Sequence, residues 1–209
     1  MRYVLVKRKS ADQRKAEIVA TTLRLADDLG PDRLTTQAIA HAVGLTQAAI
    51  FRHFPTKQAL WCAVAEKLAG TMTEAWLREL AGNAEPEKRL IALIRAQLRQ
   101  IEANPAIPAI LHSQELQREN AELRQSFLAL MMRFQGLLTA ELSSVRATGA
   151  MRLDIEPEVC AVLLVSLVQG VAIRWTLGSR TFGLEAEGAR LLEEQLKLIH
   201  VSSPQGGKA

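Results

Sequence analysis

The chain has 209 residues and a mass of 23.0 kDa, with 48% hydrophobic, 23% charged and 4% aromatic residues. Such a composition excludes a disordered or collagen-like chain, and the length allows one large domain or two small ones around a buried core. The net charge of +4 is uneven: residues 1–60 hold 10 Lys+Arg against 5 Asp+Glu, whereas residues 61–209 hold 16 against 17, so the basic excess points to a polyanion partner, nucleic acid before membrane.

The basic arm Arg2, Lys7, Arg8 and Lys9 comes first. It reads as a solvated tail or as a source of counterion-release affinity. Tyr3-Val4-Leu5-Val6 is too short to found a sheet. From 11 to 29, Ile18, Val19, Thr22, Leu25, Ala26 and Leu29 recur at spacings of three and four, one buried helical face. Ser10 or Asp12 caps its start and Gly30-Pro31 stops it. A helix over 36–43 follows, with Ala38, Ile39, Ala42 and Val43 inward. Gly44 sits where a helix C-terminus favours positive φ. Thr46 is a fitting N-cap for a helix over 47–54, and Pro55 ends that helix. Thr56 caps a long helix from Lys57 to about Leu80.

Gly82-Asn83-Ala84 breaks the chain, and 85–103 reads as an amphipathic helix with Leu90, Leu93, Ile94, Leu98 and Ile101 on one side. Pro105 and Pro108 bracket a short piece. One long helix is expected from Ser113 to about Arg146, charged early and apolar later. Residues 151–155 form a connection, and Pro157 suits the first turn of a helix through 177. The last helix covers 184–200, and 202–209 is expected to be a disordered tail. The fold class is therefore all-α, with about nine helices. A helix-turn-helix domain with its arm spans 1–56, and a larger helical domain spans 57–201.

The helices 36–43 and 47–54, joined by Gly44-Leu45-Thr46, have the helix-turn-helix layout, the second helix being the groove reader. Ala40, Leu45 and Ile50 are small or apolar where the two helices pack. Gln47, Ala48, Ala49, Arg52 and His53 are assigned to the outward face. They are short or hydrogen-bonding groups, as a major groove requires. The block TTQAIAHAVGLTQAAIFRHFPTKQALW resembles the TetR family of bacterial one-component regulators. The match lies in Thr35-Thr36, Ile39-Ala40, Gly44-Leu45-Thr46, Phe51-Arg52-His53-Phe54 and Thr56-Lys57. It covers about thirty contiguous residues, and the remainder fits in architecture alone.

The resemblance implies roles. Thr36 resembles a phosphate-contacting position. Thr46 caps the reading helix and touches a phosphate, Gln47 reaches base edges, and Ala48 and Ala49 pack on thymine methyls or admit the backbone. His53 and Lys57 resemble the family's phosphate clamp. Arg52 reaches a guanine, a phosphate or only solvent. Phe51 departs from the family's tyrosine, and without a phenol OH it reads as packing.

The resemblance also implies pairing through the last two helices, across a twofold axis that spaces two reading heads. Leu164, Leu167, Val171, Leu191, Leu192, Leu196 and Ile199 are the expected interface. The middle helices should enclose a cavity for a small apolar or amphipathic effector. Its expected walls are Trp61, Met72, Trp76, Leu98, Ile110, Leu111, Phe127, Met131, Phe134 and Trp175, with Arg174 counted among the pocket residues. His112, Gln114, Glu115, Gln135, Gln169 and Arg174 are the polar groups available to orient a ligand. Arg174 stands out on an apolar helix: it pairs with an acid, caps carbonyls, or binds an anion.

Cys62 and Cys160 lie among apolar neighbours and read as small buried hydrophobes, a redox pair or soft-metal site being the alternatives. No cofactor, metal or catalytic residue is expected, because neither a nucleophile–base set nor a phosphate-binding glycine loop is visible. The opening residues lack the apolar core of a secretory signal. The apolar stretch 159–173 is short for a bilayer and contains Ser166 and Gln169. The expectation is a cytoplasmic, homodimeric repressor released from a palindromic DNA operator by a small molecule, without membrane contact. The alternative is a ligand-independent DNA-binding structural or cell-division factor acting through a protein partner.

Overall fold

The computed structural model describes residues 9–200 except Leu153; the arm residues Arg2, Lys7 and Arg8, the segment 3–6 and the tail 202–209 lie outside the described residues. Ten helices follow in order: α1 (Ala11–Leu29), α2 (Thr36–Ala42), α3 (Gln47–His53), α4 (Lys57–Gly82), α5 (Pro86–Ala103), α6 (Ala106–His112), α7 (Gln114–Glu119), α8 (Ala121–Ala147), α9 (Pro157–Leu177) and α10 (Leu184–Ile199). Among the described residues no strand occurs, only an isolated bridge between Met151 and His200. The all-α expectation holds. The count rises by one because the long helix expected from Ser113 onward is two helices. Asn120 divides them with a non-helical backbone (φ −130°, ψ 89°), and its side-chain oxygen accepts from Leu123 N at 3.0 Å. Asparagine competes with helical hydrogen bonding in this way, ending one helix and capping the next.

The chain forms two compact units that interleave in sequence. One comprises residues through Leu68 together with Ala109–Ser126. The other comprises Ala69–Pro108 and residues from Phe127 onward. The helices α4 and α8 therefore contribute to both.

In the first unit, α1 buries Ile18, Val19, Thr22 and Ala26, and starts with a reciprocal capping box between Ser10 and Gln13. It packs against α2 and α3. Leu34, Ile39, Ile50, Leu60, Trp61 and Val64 complete the core. The segment 109–126 is tied to this unit by polar links from the buried Ser113 and Asn120. Ser113 Oγ donates to the Asp32 carboxylate, and Asn120 Nδ2 donates to Gln58 O at 3.2 Å. The buried Ser113 and Asn120 side chains need such partners.

In the second unit α5, α9 and α10 pack on one another. At the α5–α10 crossing Gly188 lies so near Leu98 that a Cβ there would clash with its Cδ1. The helix α10 lacks a capping side chain of its own. Glu102 of α5 supplies one, accepting from Leu184 N at 2.8 Å. Arg89 and Glu141 form a largely buried pair at 2.8 Å between α5 and α8.

The helix α9 has 21 residues and is long and apolar enough to cross a membrane by length and composition, which corrects the shorter apolar stretch read from the sequence. In this unit 44% of its most apolar window is buried, and it packs on α5 and α10.

Candidate nucleic-acid interface

The helices α2 and α3 are set by one turn. Gly44 has φ +67°, and a Cβ there would meet nothing within 4 Å. Its requirement is therefore conformational, not spatial. Leu45 N bonds back to Ala40 O at 2.9 Å, closing the turn. The helices α2, α3 and α4 each have a threonine cap. Thr35 accepts from Ala38 N, Thr46 from Ala49 N at 3.2 Å, and Thr56 from Ala59 N at 3.0 Å.

The α3 helix buries Ala49 and Ile50. Its exposed face carries Gln47, Ala48, Phe51 and Arg52, with His53 half-buried and Thr46 and Lys57 exposed at either end. Between Asp32 and Glu66 the sequence contains no acidic residue, while Arg33, Arg52 and Lys57 are present. No carboxylate of this segment would repel a phosphate, a signal finer than the half-chain charge balance.

Three expectations shift here. Ala49 faces the core of the head and presents no methyl to a groove. Thr36 is only 8% exposed, and its Oγ1 accepts from Gln47 Nε2 at 2.7 Å. Phe51, read as packing, is 39% exposed one turn after Gln47. An exposed aromatic ring on this face is an apolar group of the kind that contacts thymine methyls.

The expected effector residues scatter. Trp76, Leu98, Phe127 and Phe134 are buried in the second unit, and Ile110 is buried in the first. Trp76 stacks on Phe134 with centroids 5.0 Å apart and donates from Nε1 to Gln97 at 3.0 Å. Leu111 and Met131 are exposed, so neither is enclosed by its own unit. Arg174 is a surface residue, 3.7 Å from Glu187 and over the Phe182 ring. Of its three readings, the pairing with an acid is what the structure contains.

The residues expected on the pairing face are mostly turned inward. Leu164, Val171, Leu192, Leu196 and Ile199 are buried inside the protomer, with Leu167 and Leu191 half-buried. The outward stripe of α9 is instead Val159, Val162, Leu163, Ser166, Gly170, Ile173 and Leu177. These recur at spacings of three and four, a continuous seam. An all-round apolar helix gives no periodic signal of which face looks out, so the sequence could not choose.

The cysteines lie in different units, and both thiols are held above their ordinary range. Burial is the larger cause at Cys62, followed by the Glu122 carboxylate 3.4 Å from its sulfur; burial alone acts at Cys160. Protonated thiols of this kind are poor nucleophiles.

Comparison with known proteins covers residues 18–199. A family model described as bacterial regulatory proteins of the TetR family matches residues 18–64, and one described as the C-terminal region of YsiA-like proteins matches 65–199. The nucleoid occlusion factor SlmA of Haemophilus influenzae (strain PittGG) is 24% identical over 175 residues, covering 81% of this chain and 78% of the relative. Among solved structures, a transcriptional regulator from Saccharomonospora viridis in complex with choline superposes with a TM-score of 0.81 at 20% identity, covering 92% and 100% of the two chains. The regulator FadR from Bacillus subtilis in complex with stearoyl-CoA does so at 0.75 and 17% identity, covering 88% and 99%.

Proposed function

The chain belongs to the TetR family of bacterial regulatory proteins, and from that premise we propose that it is a homodimeric repressor acting on a palindromic operator in the cytoplasm. The observation that carries this reading is the exposed face of α3, with its acid-free surroundings and its capped, glycine-turned geometry. Gln47 and Arg52 supply polar contacts to base edges, and Ala48 and Phe51 supply apolar ones. Thr46, His53 and Lys57 hold phosphates, which fixes register without reading sequence.

The partner copy covers the α9 seam. Ser166 and Gly170 lie mid-seam, where small side chains let two helices approach. A small effector binds in the second unit near the stacked Trp76 and Phe134. Its character is apolar, because Glu141 is the one charged residue buried among the described residues and Arg89 already pairs with it. Of the two helices that belong to both units, α4 follows the reading head directly in sequence, so it is the element through which the effector changes the spacing of the reading heads. The effector must bind the DNA-incompetent form more tightly, since equal affinity for both states shifts nothing.

A second reading is favoured by the match to the nucleoid occlusion factor: a DNA-binding factor of cell division that acts with a protein partner and no inducer. A gel shift with the DNA upstream of the protein's own gene tests the repressor reading. A salt-sensitive, competitor-resistant shift at two chains per site, released by an apolar small molecule, supports it. Specific binding at scattered chromosomal sites that no small molecule releases supports the second.

A further inference from the structure

Gln47 is exposed, yet its amide is already held. Nε2 donates to Thr36 Oγ1 at 2.7 Å, joining the first residue of α3 to the first residue of α2. The hydroxyl lies behind the amide, since Thr36 is 8% exposed. Capping does not account for it. The α2 helix is capped by Thr35 and α3 by Thr46, so neither end needs the Thr36 oxygen.

We propose that Thr36 is a positioning residue that makes Gln47 selective for adenine, an inference resting on the DNA-reading role of α3 given above. A glutamine amide has two N–H donors and one carbonyl acceptor. With one N–H engaged by Thr36, one donor and one acceptor remain. Adenine complements that pair in the major groove, where N7 accepts and the N6 amino group donates. Guanine presents two acceptors, N7 and O6, and the remaining carbonyl of Gln47 would face an acceptor there. An amide not held in this way could turn its two N–H groups to either base. The hydroxyl also removes side-chain freedom before DNA arrives, so less order is lost on binding.

This role differs observably from the phosphate contact that the family resemblance implies. A phosphate contact strengthens binding to every sequence and adds to the salt dependence. A positioning hydroxyl acts at one base pair of each half-site and leaves the salt slope alone.

The experiment uses the full chain and its four variants Thr36→Val, Thr36→Ser, Thr36→Ala and Gln47→Ala. Each is titrated against a site selected from random DNA by the wild type, and against every single-base substitution of it, at two salt concentrations. Circular dichroism and urea melts establish that each variant is folded, and Thr36→Ala replaces Thr36→Val should valine not be accommodated. Gln47→Ala is expected to flatten an adenine preference at one position per half-site. Thr36→Val is expected to lower the adenine-over-guanine ratio there about tenfold with an unchanged salt slope, and Thr36→Ser to restore it. If Gln47→Ala flattens the position but Thr36→Val and Thr36→Ala keep the full ratio, the positioning role is wrong. If the Thr36 variants weaken all sequences alike and reduce the salt slope, Thr36 is a phosphate contact and the inference is overturned. A profile unchanged by Gln47→Ala refutes base reading by Gln47, and the inference with it.

Discussion

The substitution Leu163→Glu separates the α9 seam from the protomer core. Val159, Val162, Leu163, Ile173 and Leu177 are 36–81% exposed in the protomer. Full burial of such a side chain contributes roughly 1.5–3 kcal/mol, so covering what remains exposed contributes about 1 kcal/mol for each residue. That is about 5 kcal/mol per protomer and about 10 kcal/mol across a twofold axis. Association itself costs roughly 4–15 kcal/mol, so the dimer depends on most of the seam. Leu163→Ala removes about 2 kcal/mol from the symmetric pair, which weakens dimerisation about thirtyfold. Leu163→Glu adds two carboxylates facing an apolar surface, at a cost of several kcal/mol, and should weaken the dimer more than a thousandfold. Sedimentation equilibrium across a concentration series reads this directly, with circular dichroism to verify the helices. A Leu163→Glu protein that dimerises like the wild type would refute the assignment of this face. A monomeric variant that grips a palindromic site with wild-type affinity would refute the need for pairing.

Three further outcomes are expected. Lys57→Ala should weaken binding to all DNA and lower the slope of log affinity against log salt by about one, measured by fluorescence anisotropy; an unchanged slope removes Lys57 from the phosphate set. Asn120→Ala should destabilise the first unit by about 2–3 kcal/mol in urea melts, because it removes the α8 cap and leaves Gln58 O without this donor; a loss under about 0.5 kcal/mol would mean the link carries no stability. Glu102→Ala should cost about 1–2 kcal/mol by uncapping α10, and Glu102→Gln should recover part of it, since its amide oxygen still accepts; equal losses in both would contradict the capping role.

Much of the head was legible in the sequence because its signals are local. Gly44 requires positive φ, Thr46 and Thr56 cap, Pro55 terminates, and each acts within four residues of itself. Side-chain direction inside α3 was less legible. With only two turns, Ala49 and Phe51 could exchange inward and outward roles without changing the apolar pattern, and only packing against α1 and α2 decides between them. The family comparison pulled Phe51 inward because the phenol oxygen is missing, yet the ring keeps the exposed place. The Thr36–Gln47 bond joins residues eleven apart across a turn, and no local rule encodes it. Asn120 was legible in principle, as a capping residue inside a helical pattern, but the periodicity on either side hid it. The α9 seam was the least legible. A helix apolar on every side is consistent with any orientation until α5 and α10 cover one face of it.

The most direct test of dimeric groove reading is selection of binding sites from random DNA, followed by footprinting of the selected site. Two heads carried by a twofold axis predict an inverted repeat whose half-sites are one helical turn, about 34–36 Å, or a multiple of it apart, with protection in successive major grooves on one face of the duplex. Recovery of a single unrepeated half-site, or of no preferred sequence at all, would contradict the account.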